Sequence, residues 1–184
     1  MLKTKNLLYK LLLLLALLLL AVGGAANGVT VFRGGAVLER VSAALGLLAV
    51  LAAAYYVFRG YSKHAAKAYK AFIGLFALHH LSMVLGLGVT SQVNVQLILE
   101  AITFWLILLL FLAKDLGKTG SLILCAATLL LSLVALGLEA AVPEEEVVLG
   151  VLRLGRATAR MALAWLLLLM TYAKYLDKAE RGTK

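Results

Sequence analysis

Apolar residues in this chain neither alternate nor recur as a narrow stripe. They come in six blocks, roughly Leu7 to Val22, Val41 to Phe58, Ala71 to Val89, Val95 to Ala113, Ser121 to Leu138 and Val147 to Ala173. Blocks of about twenty apolar residues have the length that crosses the hydrocarbon of a bilayer as a helix. Barrel strands would alternate every second residue, and these blocks do not. Backbone in hydrocarbon must satisfy its own hydrogen bonds, and runs of Leu and Ala without proline do so as helices. The pattern predicts an all-α, polytopic transmembrane helical bundle of six spans, forming a single domain over residues 1–184. The stretches Gly23 to Gly35, Gly60 to Lys70 and Val142 to Glu146, the last around the only proline, Pro143, read as short loops.

The first block carries a second reading. Lys3, Lys5 and Lys10 followed by Leu11 to Val22 and then Gly24-Ala25-Ala26 also fit a secretory signal with a small-residue cleavage site. Cleavage after residues 1–26 would leave five spans. The length of the block from Leu7 favours a retained anchor.

Charge orients the bundle. Lys and Arg in short loops stay on the cytoplasmic side. An inside N-terminus gathers there 13 of the 18 basic residues with only three acidic ones, Asp115, Asp177 and Glu180; the other side holds five basic and six acidic residues. Every loop agrees with cytoplasmic N- and C-termini, and the setting expected is a bacterial cytoplasmic membrane. The net charge of +9 therefore does not point to nucleic acid, because the basic residues are dispersed between apolar blocks. Arg59, Lys63, Lys67 and Lys70 suit anionic lipid headgroups. The remaining protein contact to expect is a membrane-protein partner or a second copy of the chain. At 64% hydrophobic and 15% charged, the composition demands a lipid solvent. The single cysteine, Cys125, lies inside an apolar block and permits no intrachain disulfide.

Small and weakly polar residues recur at helical spacing in the second block (Ser42, Gly46, Ala49, Ala53) and the fifth (Ser121, Cys125, Thr128, Ser132). Such faces allow close helix approach, so a packing seam is the first reading and a polar conduit the second. Gln92, Gln96, Glu100 and Thr103 share a face of the fourth block. Glu100 is the carboxylate of most interest, since an ionised side chain in hydrocarbon pairs with a cation, carries protons or reaches the interface. Its expected partners are Arg153, Arg156 and Arg160, which recur at steps of three and four on one face of the sixth block, with Glu146 one heptad before. Arg153 and Arg156 are expected near the headgroups and Arg160 a turn or two deeper. The three arginines would neutralise Glu100 and the Glu144 to Glu146 run, or receive an anionic headgroup or substrate. Their spacing is not that of a voltage sensor, and no pore loop accompanies them.

His79 and His80 fall near the middle of the third span. Neighbours on a helix point about 100° apart, so at most one faces a given site and the pair cannot chelate one metal. His64 is the only other histidine. No metal and no cofactor are expected, haem included, and either histidine is open to packing or to proton handling.

No nucleophile elbow, phosphate-cradling loop, HExxH helix or paired-cysteine site is present, which argues against an enzyme. Two functions remain in balance. One is a transporter-like bundle in which Glu100, His79 or His80, Arg153, Arg156 and Arg160 handle protons or a ligand in the outer half. The other is a non-catalytic structural or accessory membrane subunit, and the Leu-rich first block and tidy charge division also suit a bundle of designed type. A lipid-active enzyme, with Glu100 or a histidine as base, is the least favoured.

Overall fold

The computed structural model describes residues 7–33, 36–59, 63–89, 94–113, 116–141 and 146–182. They form six helices: α1 (Leu7–Arg33), α2 (Val37–Arg59), α3 (Lys63–Val89), α4 (Val95–Leu112), α5 (Gly117–Ala141) and α6 (Val147–Gly182). Among the described residues there is no strand, and all six helices are long and apolar enough to cross a membrane. At about 1.5 Å per residue the 18 residues of α4 just match the hydrocarbon thickness, whereas the 36 of α6 outrun it.

Two of the expected loops are largely helical. Gly23 to Arg33 continues α1, and Lys63 to Lys70 opens α3. Gly23 and Ala26, within the stretch that has the look of a loop, serve a helix crossing. A Cβ on Gly23 would lie 2.6 Å from the Ala159 Cα, and one on Gly155 would lie 2.5 Å from the Ala26 Cβ. Glycine and alanine on both helices let the backbones of α1 and α6 meet where any larger side chain would part them. Gly60 to Ser62, and Val142 to Glu145 with Pro143, fall outside the described residues.

Local chemistry sets the ends of α4 and the start of α5. Asn94, with extended backbone, accepts from the Leu97 amide at 2.8 Å and so satisfies one of the orphan donors of the first turn. Gly117, the first residue of α5, sits at φ 60, the left-handed region open to glycine.

Successive helices run up and down, so the ends of α1, α3 and α5 meet the starts of α2, α4 and α6. The neighbours α1 to α5 form an open arc that α6 completes, packing against α1, α5, α2 and α3. Burial ranks the helices: 72% of the spanning stretch of α6 is buried against 17% of that of α4. The helix with the least apolar span is therefore central, because a helix wrapped in protein need not dissolve in lipid, while α4 exposes Ile98, Ile102, Leu109 and Leu112. Around the second half of α6 lies a dry core of Phe72, Phe76, Ile107, Leu163, Leu166, Leu167 and Met170.

The α5 seam is a packing face. Thr128 and Ser132 return their hydroxyls to the Leu124 and Thr128 carbonyls of their own helix, both at 2.9 Å. Cys125 and Ser121 reach α6, at Thr171 (3.3 Å) and Tyr175 (2.9 Å). Tyr69 joins Thr171 from α3 at 2.6 Å, with the Lys174 ammonium 5.1 Å from the Tyr69 ring centre. These contacts tie the far end of α6 to α3 and α5.

Candidate functional site

At the other end of the bundle the first half of α6 stands away from α2 and α3, leaving a cavity of about 870 Å³. All six helices contribute to its wall, among them Asn27 of α1, Glu39 and Ser42 of α2, His79 and Met83 of α3, Gln96 of α4, Glu139 of α5, and Arg153, Arg156 and Arg160 of α6.

Arg160 is the hub. It is 4% exposed, and its guanidinium lies 3.5 Å from Glu100 and donates a short hydrogen bond to Glu139. Glu139 also accepts from the Gln96 amide at 2.8 Å and lies 3.9 Å from the Arg153 guanidinium. Glu100, 2% exposed, meets the His80 Nδ1 at 2.5 Å. A buried charge is tolerated when paired and hydrogen-bonded, and this network links α3, α4, α5 and α6 through such pairs. Closer to the mouth, Arg156 donates to Glu39 of α2.

The two histidines part as helix geometry requires. His80 turns to Glu100, whereas His79 sends Nδ1 to the Ser42 carbonyl at 2.8 Å, with the Ser42 hydroxyl at 3.1 Å. A carbonyl only accepts, so Nδ1 of His79 carries the proton and Nε2 the lone pair of the neutral ring. Gly46 makes room for this contact: a Cβ there would lie 3.0 Å from the Asn27 amide nitrogen and 3.5 Å from the imidazole. Phe76 lies beside both rings, at 4.8 Å from His80 and 6.4 Å from His79 between centres, and closes the cavity region from the dry core.

The residues singled out from the sequence thus converge, with one correction. Arg153 and Arg156 line the cavity and turn to Glu139 and Glu39. The carboxylates that answer the arginines are Glu100, as expected, together with Glu39 and Glu139, which the sequence reading passed over; Glu144 and Glu145 lie outside the described residues. A signal for Glu139 exists: the buried face Ser121, Cys125, Thr128, Ser132, continued by alternating steps of three and four, passes Ala135 and lands on Glu139. Thr103 shares the face of Glu100 but returns its hydroxyl to the Leu99 carbonyl at 2.7 Å, and Gln92 lies outside the described residues.

Two carboxylates, three guanidiniums and one imidazole on the cavity wall, with Glu100 and His80 beside Arg160, can hold a polar solute and can exchange protons with it. Among the described residues no group of histidine, cysteine and carboxylate side chains has the geometry to hold a metal ion. Comparison of the chain with the profiles of known families, with curated proteins and with solved structures finds no match.

Proposed function

We propose that the bundle binds a small solute in this cavity and passes it across the membrane, as a transporter-like protein whose ionisable side chains take part in the movement. The observation that carries the reading is the convergence of Arg153, Arg156, Arg160, Glu139 and His79 on one cavity of about 870 Å³, with Glu100 and His80 directly behind. That volume is in the range of small-ligand sites. Ionisable side chains at membrane depth are costly, and packing with hydroxyl contacts such as Tyr69 to Thr171 holds the other end of the bundle. The reading is non-enzymatic, with no cofactor. Its orientation follows the distribution of Lys and Arg: termini in the cytoplasm of a bacterial cell, basic loops against anionic headgroups, and the cavity toward the outer side.

Flux into liposomes tests it. Protein-containing vesicles should move protons or a small organic anion faster than vesicles carrying Glu100→Gln protein; equal rates for both and for empty vesicles would sink the proposal.

A structural or accessory role is the second reading, favoured by the mutual pairing of Glu39, Glu100 and Glu139 with the arginines, which holds helices together without any ligand. Exposed Phe32 and Val37 offer a partner an apolar surface beside the cavity. Crosslinking in native membranes decides this one: a chain that is strictly monomeric, with no crosslinked neighbour, is not an accessory subunit.

A further inference from the structure

The cavity has two unlike walls. Toward α2 and α3, Val37, Leu38, Met83 and Leu87 present hydrocarbon between the polar Glu39, Ser42, His79 and Ser82, whereas α5 and α6 present Glu139 and the arginines. A solute that suits both walls has an apolar body and one anionic end. An arginine fork matches the two oxygens of a carboxylate, so a short-chain monocarboxylate fits this description.

The charges constrain how such an anion enters. Arg156 lies against Glu39, Arg160 against Glu100 and Glu139, and Arg153 within 3.9 Å of Glu139. Three guanidiniums and three carboxylates balance before anything is bound. Surroundings of low dielectric resist any change in that balance. A monocarboxylate approaching Arg160 competes with Glu139 for the same N–H donors, and two carboxylates sharing one site do not both stay ionised. A proton on Glu139 removes the conflict.

We infer that the cavity takes a small organic anion with an apolar body together with one proton, the anion on the Arg153 and Arg160 guanidiniums and the proton on the Glu139 carboxylate. The inference rests on the transport reading above. One O–H bond forms on Glu139 with a proton from the aqueous phase, and the N–H donors of Arg160 pass from Glu139 to the incoming carboxylate. No electron moves, and the loaded site has the net charge of the empty one. Glu139 is chosen over Glu100 because it lines the cavity, while Glu100 lies behind Arg160 in the grip of His80. The charged and titratable groups around Glu139 are Glu39 from α2, His79 and His80 from α3, Glu100 from α4, and the three arginines from α6.

The test is calorimetric titration of the full chain in nanodiscs with hexanoate, against empty nanodiscs, in two buffers of different ionisation enthalpy. About one proton should be taken up per hexanoate bound, and uptake should be lost in Glu139→Gln. Should that variant fail to fold, the proton count of the unaltered protein still decides, and Glu139→Asp should retain it. Binding without proton uptake, or no binding of hexanoate at all, overturns the inference while leaving solute transport standing. Absence of any flux in the liposome experiment overturns the transport reading itself.

Discussion

Toward the end where α1, α3 and α5 finish, α6 lies close against α1 at Gly23 and Gly155, while a cavity separates it from α2 and α3 and charge crosses to the other helices: Arg160 to Glu100 and Glu139, Arg156 to Glu39. Toward the other end the same helix is enclosed on nearly every side by Phe72, Phe76, Ile107 and its own leucines, with single hydroxyl contacts such as Tyr69 to Thr171. In lipid there is no hydrophobic force to press helices together, so association depends on close packing and on polar contacts. One half of the bundle uses mainly the first; the other adds ion pairs to the close crossing of α1 and α6. Charges at helical distances hold elements together while leaving space between them, which dense packing does not, and that is why the cavity and the ions coincide.

The largest effect that would break this contrast is loss of the hub. Arg160→Met strips Glu100 and Glu139 of their shared cation, and leaving a buried charge without its partner costs about 3–5 kcal/mol. Unfolding in detergent followed by helical signal should register that loss, and Glu100→Gln in the same chain should recover part of it. Destabilisation no greater than that of a lipid-facing substitution such as Ile102→Ala would mean the network is not what holds this half.

In the packed half, Leu163→Ala empties a site that is fully buried and should cost about 2–5 kcal/mol. Buried Cys125 reports on it: labelling by a small permeant maleimide should rise in Leu163→Ala. A smaller effect, about 1–3 kcal/mol, is expected for Gly23→Ala, because the new methyl meets backbone atoms of Ala159 and α1 must withdraw. The readout is crosslinking between cysteines placed at positions 26 and 155, which should fall. Smallest is Tyr69→Phe, which deletes one hydroxyl contact to Thr171; interhelical hydrogen bonds of this kind contribute about 0.6 kcal/mol on average. If Tyr69→Phe proved as damaging as Arg160→Met, the two halves would not differ in kind.

The six spans and their order were legible because length and apolarity alone determine what can cross hydrocarbon. Helix ends were less so, since Gly23 to Arg33 looks like loop until the surface it crosses is known, and a glycine permits either. The convergence of Glu100 with Arg160 could be expected from the cost of burying each alone. The choice of Glu39 and Glu139 could not be read from charge runs, because it depends on which helices are neighbours. Only the extension of the α5 face to Glu139 carried that information within one segment. The separate directions of His79 and His80 followed from helical geometry, yet their partners, Ser42 and Glu100, depended again on packing.

The central place of α6 bears on how the protein is made. It is the last of the six helices to be synthesised, so until it arrives the other five surround nothing, and Glu100, Glu139 and His80 have no guanidinium to meet. A chain ending after α5 would keep Glu100 beside His80 but leave Glu139 without the Arg160 guanidinium, so the charge pairing of the bundle is completed only by its sixth helix.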